Sequence, residues 1–159
     1  MPLRTASSSS QAPPGDGAGA RRPSASGNGN SPVPGPLRVF LIEDSPSVRD
    51  RLIDFLVEPG EIEMVGFAET EADAVEKLQS QPIDVAIVDI NLKQGTGFGV
   101  IESIRAKQPT PPPTIVVLTN YAFPEFELAC RQRGADYFFD KVTEFSEVKD
   151  LLRAIRKHH

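Results

Sequence analysis

The chain reads as an α/β protein, a (βα)5 domain with a doubly wound, five-stranded parallel sheet. Three observations predict this fold. Beyond residue 36, short apolar runs alternate with segments whose apolar residues recur at helical spacing. The run 83–88 is almost entirely apolar, as a central parallel strand covered on both faces should be. Four runs also end in polar groups, namely Glu43-Asp44, Asp89, Thr119 and Lys141. Parallel strands deliver all of these to one carboxyl edge, where open α/β sheets bind ligands.

The first strand is predicted at 37–42. Ser45 then reads as a helix N-cap, with Pro46 at the first helical position, where its missing N–H does no harm. Val48, Leu52, Phe55 and Leu56 carry the helix to about residue 57, and Pro59-Gly60 stops it. A second strand is expected at 61–68. Thr70 caps a second helix over 71–79, with Ala72, Val75 and Leu78 on its inner face. Gln81-Pro82 ends that helix, and the third strand follows at 83–88.

After Asp89 a glycine-bearing loop, Ile90 to Gly97, leads into a helix at 97–106 that places Phe98, Ile101 and Ile104 or Arg105 at its turns. Four prolines between Gln108 and Pro113 mark a connector. The fourth strand is expected at 114–118. Pro124 opens a fourth helix to about 132, which Gly134 ends. The fifth strand falls at 136–140. A last helix, about 144–157, shows Phe145, Val148, Leu152 and Ile155 at helical period.

Residues 1–36 differ in kind. They hold 7 Pro, 6 Gly and 7 Ser and no Ile, Phe or Tyr. Such a segment cannot bury enough apolar surface to offset its ordering entropy, so it reads as a disordered leader. It is Ser-rich and Arg-bearing, as transit peptides are, yet it lacks an amphipathic pattern. Residues 37–159 are enough for one domain with a full core.

The formal net charge is −5. The leader's Arg4, Arg21 and Arg22 outnumber its Asp16, so the excess acid lies in 37–159. That argues against nucleic acid as a direct ligand. The lone Cys130 excludes an intrachain disulfide framework and fits a reducing, cytoplasmic setting. No apolar run approaches the roughly 18 residues that would span a bilayer.

Three carboxylates, a hydroxyl and an ammonium at one sheet edge suit a divalent cation beside a phosphorylated aspartate. Asp89 is the candidate nucleophile, since a carboxylate can accept a phosphoryl group as an acyl phosphate. Glu43 and Asp44 would repel that group unless a cation neutralised them. Mg²⁺ or Mn²⁺ prefers such oxygen ligands and bridges carboxylates to phosphate. Lys141 offers a compact positive charge to the phosphoryl oxygens. Alone, each residue reads as an ordinary strand-end or surface side chain; together they do not.

The order and spacing add a resemblance. An acidic pair, an aspartate 45 residues on, a threonine 30 further and a lysine 22 beyond that resemble the receiver domain of two-component response regulators, the chemotaxis type included. The resemblance covers residues 37–159. It implies the flavodoxin-like strand order 2-1-3-4-5. It implies Asp89 as phosphoacceptor, with Glu43, Asp44, Asp89 and the backbone carbonyl of Asn91 as metal ligands. Thr119 would donate its hydroxyl to the phosphoryl group, and Phe138 would be the aromatic that moves inward behind it. Tyr137 carries a hydroxyl but alternates to the opposite sheet face, and reads as packing.

Two departures from the family pattern stand out. Val142 follows the lysine where the family has a cis proline. A cis non-proline bond costs about 3 kcal/mol, so this loop is expected to differ in shape. The acidic pair is Glu-Asp, not Asp-Asp. The resemblance further implies phosphoryl transfer from a histidine kinase or phosphotransfer protein and a separate downstream effector protein. No effector domain is expected within the chain. The roles expected are those of a phosphoacceptor, not of an independent enzyme, with output through about residues 124–157. One alternative is a pseudo-receiver scaffold that binds partners without phosphorylation. Another is an aspartyl-phosphate hydrolase, but that class carries a second acid where Asn91 stands.

Overall fold

The computed structural model describes residues 35–158. The expected leader lies outside the described residues apart from Gly35 and Pro36. Five strands and five helices alternate along the chain. They are β1 Leu37–Ile42, α1 Pro46–Leu56, β2 Ile62–Ala68, α2 Glu71–Leu78 and β3 Val85–Val88. Then come α3 Gly97–Lys107, β4 Thr114–Thr119, α4 Pro124–Arg133, β5 Tyr137–Asp140 and α5 Phe145–Lys157. All strand pairs are parallel, and the order across the sheet is β2-β1-β3-β4-β5. This is the predicted (βα)5 fold and strand order.

Alternation along each strand sorts the core into two layers. Phe40, Ile42, Ala86, Val88, Ile115 and Val117 face one side, where they meet Ala74 of α2, Val100, Ile101 and Ile104 of α3, and Cys130 of α4. Val39, Leu41, Val85, Ile87, Val116 and Leu118 face the other, against Leu52 and Leu56 of α1 and Val148 and Leu152 of α5. Each fully buried Leu, Ile or Phe contributes about 1.5–3 kcal/mol of apolar burial. That stabilisation makes the strand ends a rigid platform for polar groups.

The predicted caps form. Ser45 Oγ accepts the Val48 N–H at 3.4 Å, and Thr70 Oγ1 accepts the Asp73 N–H at 3.1 Å. Gly134, at φ +114°, closes α4 in the left-handed conformation.

Two details differ from the sequence reading. On α2 the buried residue is Ala74, while Ala72 is exposed. The inner stripe runs through Ala74, Val75 and Leu78, and Ala72 sits off it, a small residue being poor evidence of facing. The third and fifth strands also start later than expected, at Val85 and Tyr137. In both cases an aspartate replaces a ladder bond at the strand's start. Asp84 Oδ2 accepts the Arg38 N–H at 2.7 Å, and Asp136 Oδ2 accepts the Ile115 N–H at 2.8 Å.

Candidate functional site

The sheet fixes where the strand-end residues lie. Ile42 pairs with Val88 and Thr119 with Asp140, so the residues just beyond β1, β3, β4 and β5 share one edge. Backbone bonds continue the ladder past the strands. The Asp89 N–H reaches Ile42 O at 3.0 Å, and the Lys141 N–H reaches Thr119 O at 2.9 Å. Glu43, Asp89 and Thr119 are the buried polar residues of the described core.

Lys141 crosses this edge from beyond β5. Its Nζ donates to Glu43 Oε1 at 2.6 Å and to Asp89 Oδ2 at 2.8 Å. The other Glu43 oxygen accepts the Ser45 N–H at 3.1 Å. Burial pushes the Glu43 carboxyl above its ordinary 4.5, against the opposing pull of Lys141. Burial also works to lower the Lys141 pKa, but Asp89 and Glu43 outweigh it and hold the ammonium above its ordinary 10.5.

Asp44 completes the acidic group. Oxygens of Glu43, Asp44 and Asp89 all lie within 4.8 Å of one another. Three carboxyl groups thus face one ammonium, an acidic excess that a divalent cation would offset. The donors are hard oxygens only, as Mg²⁺ and Mn²⁺ prefer. The residues present therefore fit such an ion. Asn91 lies in the loop after β3, with its N–H on Asp89 Oδ1 at 3.3 Å.

Thr119 is fully buried, and its Oγ1 accepts the Tyr121 N–H at 3.1 Å. Phe138 is half-buried and packs into the layer beneath α3 and α4. Tyr137 is 39% exposed and stacks on Phe139, on the other side of β5. Alternation from the sequence gives the same two faces.

Three residues escaped the sequence reading. Tyr121 lies over the loop, its hydroxyl 3.4 Å from Asn91 Nδ2. An aromatic two residues past the strand-end threonine is the only signal for it. Asp140 shapes the loop that carries Lys141: its Oδ1 accepts the Val142 N–H at 2.8 Å and the Thr143 N–H at 3.2 Å. The Lys141–Val142 bond is trans. An aspartate-led turn thus takes the place of the proline-led one, and the lysine still reaches both carboxylates. Glu71 is the third: its Oε1 accepts the Thr96 N–H at 2.9 Å, in the loop after Asp89.

The family model described as response regulator receiver domain matches residues 39–153. A protein-glutamate methylesterase/protein-glutamine glutaminase of Archaeoglobus fulgidus is 37% identical over 125 residues, covering 76% of this chain and 35% of that protein. One from Leptospira interrogans is 36% identical over 93 residues, 58% of this chain and 26% of its own length. The chain thus spans between about a quarter and just over a third of these relatives' length. The response regulator domain of Thermotoga maritima CheB superposes with a TM-score of 0.64 at 26% identity, covering 77% of this chain and 95% of that one. The signal receiver domain of the NarL regulator of Mycobacterium tuberculosis shares the fold, with a TM-score of 0.70 at 24% identity, covering 79% and 100%.

Proposed function

The chain belongs to the response regulator receiver domain family, and on that premise we propose that it is a Mg²⁺-dependent phosphoacceptor in two-component signalling. The observation that carries this reading is Lys141 bridging Glu43 and Asp89 beside Asp44. Residues 37–159 are the working unit, with 1–36 as a leader, and the setting is the cytoplasm. Among the described residues no helix is long and apolar enough to cross a membrane.

A histidine kinase or phosphotransfer protein presents a phosphohistidine. An Asp89 carboxylate oxygen bonds to phosphorus as the phosphorus–nitrogen bond breaks, and the donor imidazole keeps the electron pair. Glu43, Asp44, Asp89 and the Asn91 carbonyl would hold the divalent ion, which would supply positive charge to offset that on the transferred group. Lys141 leaves part of its carboxylate pairing to meet the new oxygens. Thr119 gives up the Tyr121 N–H and turns its hydroxyl toward them. Phe138 occupies the space behind, and the 124–157 surface changes affinity for a separate effector.

The esterase activity named for the relatives is theirs; the role assigned to this chain is phosphoryl acceptance. The deciding experiment is titration with beryllium fluoride, an acyl-phosphate mimic, in the presence of Mg²⁺. Saturable binding that vanishes without Mg²⁺ supports the reading. Mg²⁺-independent partner binding with no beryllium fluoride uptake would instead support a pseudo-receiver scaffold.

A further inference from the structure

We infer that Glu71 is a positioning residue, which holds loop 90–96, and with it the Asn91 carbonyl, in place for a divalent cation. The inference rests on the metal reading above and adds to it a residue that belongs to neither the ligands nor the phosphoryl site.

Glu71 opens α2, and its bonds run to the loop. Its Oε1 accepts the Thr96 N–H at 2.9 Å, and its own N–H donates to Gln94 O at 3.0 Å. Two glycines make room for this side chain. Gly95 has a φ of +80°, and a Cβ there would collide with the Glu71 side chain. A Cβ at Gly99, on the first turn of α3, would overlap the Glu71 carboxylate itself. Helix-dipole compensation at α2 explains an acidic residue here. It does not explain a side chain seated between two glycines of another segment.

The loop transmits the constraint. Asn91 and Thr96 form an antiparallel bridge, and the Gly97 N–H closes the base on Ile90 O at 2.8 Å. Thr96 is therefore both the donor to Glu71 and the backbone partner of Asn91. A displacement of Thr96 carries Asn91 with it. Glu69, just before the Thr70 cap, grips the same loop through Lys93 Nζ at 2.9 Å. The turn from β2 to α2 thus bonds this loop at three residues, Lys93, Gln94 and Thr96.

The test uses the full chain and three variants. Glu71→Ala removes the acceptor, Glu71→Gln keeps an oxygen for the Thr96 N–H, and Gly99→Ala fills the socket. Mg²⁺ affinity is read by titrating backbone amide shifts of the site, and Thr96 amide exchange is read without metal. Glu71→Ala and Gly99→Ala should weaken Mg²⁺ binding about five- to tenfold, the scale of one charge-assisted hydrogen bond. Thr96 exchange should speed up in both, and Glu71→Gln should stay near wild type. Combining Glu71→Ala with Gly99→Ala should add nothing to Glu71→Ala alone, since both remove the same contact. A folded Glu71→Ala or Gly99→Ala protein with wild-type Mg²⁺ affinity overturns the inference. If the wild type binds no Mg²⁺, the metal reading fails, while Thr96 exchange still reports whether Glu71 holds the loop.

Discussion

Lys141 and Glu43 stand 98 residues apart in the chain, yet their side chains meet at 2.6 Å at the sheet edge. The contact joins the loop after β5 to the end of β1, across β4 and β3. With Asp89 on the same ammonium, it ties three of the five strand ends into one charged group.

Replacing Lys141 with Met should destabilise the metal-free fold strongly. Glu43 and Asp89 would stay buried, side by side and unpaired. Removing one partner of a buried ion pair costs about 3–5 kcal/mol. Thermal or urea melts measure this, and Mg²⁺ should restore part of the loss by supplying the missing positive charge. A Lys141→Met melt that matches wild type without metal would mean that the carboxylates escape to water.

Asp44→Ala should act in the opposite sense. Asp44 is only half-buried and has Glu43 and Asp89 oxygens within 4.8 Å, so its removal relieves repulsion. The metal-free melting temperature should hold or rise, while the Mg²⁺-induced rise should shrink. An undiminished Mg²⁺ effect would place the ion elsewhere.

Asp89→Asn should abolish labelling by a small donor such as acetyl phosphate without unfolding the chain. The amide lacks the nucleophilic charge but keeps an oxygen for the Asn91 N–H, now 3.3 Å from Asp89 Oδ1. Intact-mass measurement after incubation with donor and Mg²⁺ decides the matter. Full labelling of the Asn variant would move the acceptor to another residue.

Much of this site was legible in the sequence because its residues follow strands whose period is unambiguous. The end of an apolar run locates Asp89 or Thr119 to within a residue, and parallel pairing brings the ends together. Capping was legible for the same reason, since Ser45 and Thr70 stand directly before periodic segments. Glu71 and Tyr121 were not, because their partners sit in loops whose path no periodicity encodes. Gly95 and Gly99 read only as loop and helix glycines until Glu71 is seen between them. Ala72 misled because alanine fits either helix face, and only the packing of Ala74 against the sheet decides. From the sequence Asp140 reads as the last residue of a strand, whereas its side chain also builds the turn that follows Lys141.

Stability should fall in two steps at alkaline pH. Burial pushes the Cys130 thiol from 9.0 up to about 11. The unfolded chain ionises first, so stability is full below 9.0, declines as pH rises toward about 11, and then levels. Lys141 is raised as well, so its contribution is present below 10.5 and is lost as pH rises through its higher folded value. Urea unfolding across this range measures both. Cys130→Ala should remove the earlier decline and Lys141→Met the later one; declines that persist in both variants would belong to other groups.

The last prediction concerns how a change at Asp89 reaches the far surface. Thr119 Oγ1 now accepts the Tyr121 N–H, a bond that would stretch if that oxygen moved toward a phosphoryl group. Phe138 lies on the same face of β5 as Asp140, the register partner of Thr119, and already packs into the layer beneath α4. Moving it further inward buries ring area at about 25 cal/mol per Å². With no hydroxyl on the ring, packing alone favours that state, so the switch should be shallow. Thr119→Ala should still take up beryllium fluoride but transmit less of the change. Phe138→Ala should transmit less with Mg²⁺ affinity intact, since a phenyl ring supplies no ligand oxygen. Amide shifts over 124–157, recorded with and without beryllium fluoride, read the transmission directly. Shifts as large in both variants as in wild type would send the signal out by another face, and the loop that Glu71 holds against α2 would be the next place to look.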